Sequence, residues 1–128
     1  MRVLLDTHAL LWYTLADPKL SGTAQRLIHD STNEILISPA SYWEIAVKVS
    51  LGKLPLHRPY ADFMDACLNQ YKFVILPVEP RHTAALISMP FHHKDPFDRL
   101  LIAQALAEGI PILSVDGVFD PYGVTRLW

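Results

Sequence analysis

Four short apolar runs punctuate this chain: Arg2-Val3-Leu4-Leu5-Asp6, Glu34-Ile35-Leu36-Ile37-Ser38, Phe73-Val74-Ile75-Leu76-Pro77 and Pro111-Ile112-Leu113-Ser114-Val115-Asp116. Runs of this length, apolar without alternation, suit strands buried on both faces. The stretches between them are helix-forming, and strands that alternate with helices make parallel sheets whose crossovers cover both faces. The expected fold class is therefore α/β, with three α/β/α layers and a central parallel sheet of four to five strands. The fifth is an edge strand at Thr125-Arg126-Leu127.

Punctuation residues set the helices. Thr7 to Leu15 follows the first run at once and is broken by Asp17-Pro18, while Ser21 caps a second helix through about Asp30. Ser38-Pro39 supplies an N-cap with proline at the first helical position, opening a helix that runs to Leu51 and stops at Gly52. A fourth helix starts near Pro59 and reaches about Tyr71, and a fifth spans roughly Pro80 to Ser88. Asp95-Pro96-Phe97-Asp98 has a cap, a proline and an acid in the right order to open a sixth, ending at Gly109.

With 128 residues and 51% of them hydrophobic, one domain over residues 1–128 can bury a sizeable core. Asp6 and His8 interrupt the first apolar stretch before it could serve as a signal-peptide core, and no window has the length of a membrane span. A cytoplasmic protein is expected. The one cysteine, Cys67, sits among Phe63-Met64-Asp65-Ala66-Cys67-Leu68 as a buried helical residue would. A formal charge of −2 excludes a generally basic nucleic-acid-binding surface. Four clustered active-site carboxylates, set aside, would leave a mildly basic remainder, so a local contact with nucleic acid is not excluded.

Four acids stand where local structure does not require them. Asp6 and Asp116 close apolar strands, so both emerge at the carboxyl edge of the sheet, where open α/β folds bind ligands. Each also suits a plain capping role. Asp98 opens a helix that is apolar nearly all round, and Asp95 already provides its cap; a second acid is more than capping needs. Glu44 lies in the largely apolar Trp43-Glu44-Ile45-Ala46-Val47, with Lys48 four residues on either as an ordinary ion pair or to soften the charge of a site.

Two carboxylates about 4.5 Å apart repel by roughly 4 kcal/mol at an effective dielectric of about 20. A cluster of four needs cations or raised pKa values, and hard oxygen ligands suit Mg²⁺ or Mn²⁺, ions that serve displacement at phosphorus. Thr7 and Ser114 flank the strand-end acids and could hydrogen-bond a carboxylate or a bound water. His92-His93 argues weakly for zinc, because adjacent histidines point apart. Trp12, Tyr13, Tyr42 and Trp43 fall at helical positions suited to core or interface. The chain has no glycine-rich phosphate loop and no G-x-S-x-G.

Leu4-Leu5-Asp6-Thr7-His8-Ala9-Leu10-Leu11-Trp12, Trp43-Glu44-Ile45 with Leu51-Gly52-Lys53-Leu54, Asp95 through Ala105, and Ser114-Val115-Asp116 together resemble the PIN-domain nucleases, most closely VapC-type toxins of type II toxin–antitoxin modules. The resemblance covers essentially the whole chain. It implies a PIN-like sheet with an acidic pocket holding one or two Mg²⁺ or Mn²⁺ ions, and it maps the family's acids onto Asp6, Glu44, Asp98 and Asp116, with Asp120 as a substitute for the last. Thr7, Lys48, Arg99 and Ser114 are the supporting or substrate-touching candidates. The implied reaction is in-line attack of a metal-activated water on an RNA phosphodiester, leaving 5′-phosphate and 3′-hydroxyl ends. The implied partners are RNA, a cognate antitoxin whose C-terminal segment crosses the pocket, and a second copy in a homodimer. The alternatives are a PIN nuclease of RNA processing without an antitoxin, an interaction domain that has lost its chemistry, and a haloacid-dehalogenase-like phosphatase. That last family requires an acid where this chain has His8.

Overall fold

A computed structural model describes all 128 residues, Met1–Trp128. Its sheet has five parallel strands in the order β3-β2-β1-β4-β5. In chain order, β1 is Arg2–Leu5, α1 Thr7–Leu15, α2 Gly22–His29, β2 Glu34–Ile37, α3 Pro39–Ser50, α4 Tyr60–Asp65, β3 Val74–Ile75, α5 Pro80–Ser88, α6 Pro96–Glu108, β4 Ile112–Leu113 and β5 Arg126–Leu127. The chain winds outward from β1 through β2 to β3, then returns to place β4 on the other side of β1. The strand order thus reverses between β1 and β4, and at such a reversal the crevice beyond the strand ends is open to a ligand.

Both faces of the sheet are buried, as the unbroken apolar runs require. Val3, Leu5, Ile35 and Ile37 pack with Leu10 of α1, Ile45 of α3 and Phe63 of α4. Leu4, Leu36 and Ile112 point the other way, onto Leu101, Ile102 and Ala105 of α6. Each fully buried leucine or isoleucine contributes roughly 1.5–3 kcal/mol. Gln104 is the polar exception on α6 and is fully buried. Its amide donates to Leu76 O at 3.1 Å and to Pro77 O at 3.4 Å, and its carbonyl accepts from Ser38 Oγ. One side chain therefore ties the ends of β2 and β3 to α6, fixing the helix that carries Asp98.

The strands are shorter than the apolar runs suggest. Pro77 and Pro111 have no N–H to pair, and Phe73 N donates back to Cys67 O at 2.9 Å, leaving β3 two residues long. Pairing does continue past β4, with Ser114 N donating to Leu127 O at 3.0 Å. Two elements were not expected. The fourth helix widens into a π turn over Ala66–Gln70, marked by a Tyr71 N to Ala66 O bond, and Gly117–Tyr122 forms a 3-10 helix capped by Asp116. Cys67 is buried in that π turn, where burial pushes its thiol up to about 11. No helix is long and apolar enough to cross a membrane.

Candidate active site

Asp6 is the first residue past β1 and is buried. Its Oδ1 accepts the Ala9 N–H at 2.7 Å, so it does cap α1. That use engages one oxygen. Asp6 N donates to Leu113 O across the β1/β4 pair, which sets Ser114 beside it. Burial raises the Asp6 carboxyl above its ordinary value; the Ser114 hydroxyl and the Ala9 N–H pull it down, and the Asp98 charge adds to the rise.

Thr7, also buried, reaches across to α3, where its Oγ1 donates to Glu44 Oε1 at 2.8 Å and lies 3.1 Å from Ser41 Oγ. The other Glu44 oxygen accepts from Lys48 Nζ at 2.6 Å. Glu44 is buried while Lys48 is partly open, and the hydrogen bond to Glu44 raises the Lys48 pKa, helped by the charges of Asp95 and Asp98. The ion pair expected of this lysine therefore forms, and the charges of Asp95 and Asp98 also act on it.

Asp98 stands in the first turn of α6 with its side chain 25% exposed. Asp95 Oδ1 accepts the Asp98 N–H at 3.0 Å, so the capping role falls to Asp95 and leaves the Asp98 carboxylate free of it. Burial raises the Asp98 carboxyl, His93 lowers it, and the Asp95 and Glu44 charges add to the rise. Asp98 thus acts electrostatically on Asp6, and Glu44 on Asp98, linking the end of β1, α6 and α3. The four acids do not form one tight set: the group within 4.8 Å that includes Asp98 consists of His93, Asp95 and Asp98.

Asp116 is half-buried. Its Oδ1 caps the 3-10 helix through Val118 N at 3.1 Å, and its own N–H donates to Ser114 Oγ at 3.0 Å. Ser114 therefore links Asp116 to Asp6. Asp120 is exposed and has both oxygens on Arg126, at 2.8 and 3.1 Å. Arg99, a supporting or substrate-touching candidate, is engaged within the fold. Its guanidinium is buried and donates to the carbonyls of Pro90, His93, Leu86 and Met89 and to the Tyr122 hydroxyl. Those acceptors engage both terminal nitrogens, and the side chain fastens the loop ahead of α6.

That loop carries what sequence reasoning missed. His93 Nε2 lies 2.7 Å from Asp98 Oδ2, while His92 turns away to stack edge-on against Tyr122 at 5.1 Å. The neighbours do point apart, but one of them points into the site. The only signal in the sequence was their closeness to Asp98.

A family model described as PIN domain matches residues 3–124. Ribonuclease VapC16 of Mycobacterium tuberculosis is 37% identical over 71 residues, covering 52% of this chain, so the match spans about half of that relative, 50% of its length. Ribonuclease VapC22 of the same organism is 25% identical over 115 residues, covering 89% of this chain and 86% of that one. Among solved structures, VapBC2 from Rickettsia felis, bound to a DNA fragment from their promoter, matches with a TM-score of 0.73 at 16% identity, covering 99% of this chain and 98% of that one. At that identity the likeness shows the fold, a parallel sheet between helices of the PIN-like α/β/α kind.

Proposed function

The chain belongs to the PIN-domain family, and on that premise we propose that it is a divalent-metal-dependent endoribonuclease, the toxin of a type II toxin–antitoxin pair. The observation that carries the reading is Asp98 within electrostatic reach of both Asp6 and Glu44 at the strand-order reversal, with burial raising the carboxyl pKa of Asp6 and Asp98. Buried hard-oxygen donors at such a point fit Mg²⁺ or Mn²⁺. Asp6 forms no ion pair with a lysine or arginine, and its carboxylate is met by the Ala9 N–H and the Ser114 hydroxyl. Asp6, Glu44, Asp98 and Asp116 are the residues that would hold the ion, which when bound supplies positive charge to the phosphodiester and acidifies water.

The surrounding side chains set the geometry. Thr7 and Lys48 fix the two Glu44 oxygens, His93 orients Asp98, and Ser114 joins the backbone of Asp116 to Asp6. Lys48 stays charged and is placed to meet a substrate phosphate. In the reaction the water oxygen attacks phosphorus in line as the bond to the 3′ oxygen breaks. The leaving oxygen takes up a proton, giving 5′-phosphate and 3′-hydroxyl ends.

The names of the two ribonuclease relatives support RNA as substrate, and the VapBC2 complex supports a protein partner. The partner is a cognate antitoxin, and the protein itself a homodimer. Exposed Trp43, set edge-on to Phe97 at 5.0 Å, gives an apolar surface close to Glu44, and Ile87 and Phe91 add more on the α5–α6 side. The test is cleavage of a structured RNA by purified protein. Activity should require Mg²⁺ or Mn²⁺ and vanish in EDTA; cleavage undiminished by EDTA overturns the metal mechanism.

A further inference from the structure

A groove of about 410 Å³ runs from Thr7 and Glu44 along α1 toward the loop after α3. Its walls are mixed: Lys19, Lys48 and Lys53, three of the five lysines in a chain of net charge −2, line it beside apolar side chains such as Leu11, Trp12 and Leu54. Two acids also face it, and both are engaged. Glu44 is closed by Thr7 and Lys48, and Asp17 Oδ1 accepts the Lys19 N–H at 2.9 Å.

The cations are held on fixed backbone. Gly52 adopts a φ of +70°, a left-handed conformation that turns the chain back after α3. The N–H groups of Lys53 and Leu54 then both donate to Lys48 O, at 2.9 and 3.3 Å. Across the groove Lys19 Nζ stands 5.7 Å from the centre of the Trp12 ring, whose other neighbour along α1 is His8 at 5.5 Å. Cations at the rim and aromatic faces beside them make the combination that binds single-stranded nucleic acid, phosphates to the former and bases to the latter.

We propose that this groove is the subsite for the single-stranded RNA segment flanking the scissile phosphate, with Lys53 and Lys19 contacting successive phosphates and a base stacking on the Trp12–His8 face. The assignment rests on the nuclease reading and gives the strand a path away from the carboxylates. A polyanion is favoured over a protein arm because an arm offering a basic side chain to the acids would have to pass Lys19 and Lys53, the two groove lysines without a carboxylate partner.

The test measures binding of a fluorescein-labelled, random-sequence 12-nucleotide single-stranded RNA to the Asp98→Asn protein over a range of salt. Lys19→Gln with Lys53→Gln should weaken binding several-fold at moderate salt and flatten the log Kd against log salt slope by about 0.7 per lysine. Lys19→Arg with Lys53→Arg should restore the slope, and Trp12→Tyr should bind more tightly than Trp12→Leu. Lys72→Gln, outside the groove, should leave affinity and slope in place. If the glutamine pair binds like the parent while Asp98→Asn still abolishes cleavage, the subsite is wrong and the nuclease survives. If the pair loses only the coexpressed protein partner and keeps RNA, the groove is a protein dock and the assignment is overturned. Absence of any RNA binding or cleavage by the parent removes both readings.

Discussion

His93 Nε2 and Asp98 Oδ2 lie 2.7 Å apart, joining the loop that precedes α6 to the acid in its first turn. Among the groups around Asp98, His93 is the one that counters burial and the Asp95 and Glu44 charges by lowering the carboxyl pKa. Removing it leaves the raising influences unopposed. His93→Ala should therefore move the acid limb of the pH–rate profile to higher pH, whereas His93→Gln, which keeps a donor, should move it less. A ¹³C titration of the Asp98 carboxyl reads the same shift directly, and an unmoved titration in His93→Ala would discard the coupling.

Burial raises the carboxyl pKa of both Asp6 and Asp98 above the ordinary 3.8, so the folded protein holds these two protons more tightly than the unfolded chain does. The stability these groups contribute is fully present below 3.8 and is lost as pH rises through the raised values. Asp6→Asn keeps an N-cap for α1, since asparagine caps about as well as aspartate. With Mg²⁺ present, Asp6→Asn and Asp98→Asn should both abolish cleavage; in chelator, both should gain stability relative to the parent as pH goes from about 4 to 7. Urea midpoints across that range check it. If both variants unfold well below the parent at neutral pH, these acids are structural.

How much of this was legible in the sequence depended on how local the cause was. The apolar runs, Ser21, Ser38-Pro39 and Asp95-Pro96 act within a few residues, and the helices they start are found where those residues place them. Asp6 and Asp98 stood out because their surroundings were apolar. Arg99 did not declare itself, because its acceptors lie on a loop whose path only the folded chain defines. The π turn was hidden as well: Tyr71 bonding to Ala66 in place of Cys67 leaves no mark in composition.

Arg99 should matter for stability before it matters for chemistry. Its guanidinium stacks 4.0 Å from the Phe91 ring centre and holds the carbonyls of residues 86 to 93 in place, and those carbonyls lose their donor in Arg99→Met. The expected loss is about 1–3 kcal/mol, set by the Met89 carbonyl left unpaired in the interior and by part-buried acceptors that water meets in part. Arg99→Lys should recover little, because an ammonium cannot reproduce the planar fork. Urea denaturation gives the magnitude, and hydrogen exchange should show the Met89–Lys94 loop loosening first. Near-parental stability in Arg99→Met would mean that the loop is held by something else.

The partner reading predicts behaviour in a living cell. If the protein is the toxin proposed, its activity has to be held silent in the cell, and a partner that covers exposed Trp43 and the carboxylates would do so. Expression of the chain alone should slow bacterial growth, and Asp6→Asn should remove the effect, since it removes cleavage and keeps the α1 cap. Coexpression with the product of the adjoining upstream reading frame should restore growth and yield a complex stable through gel filtration. The decisive variant is Trp43→Ala: with that side chain 60% exposed, the fold and cleavage should survive its truncation while the complex weakens. If active protein proves harmless in its native host without that partner, the toxin reading fails and the nuclease reading stands, because only the first depends on the cell.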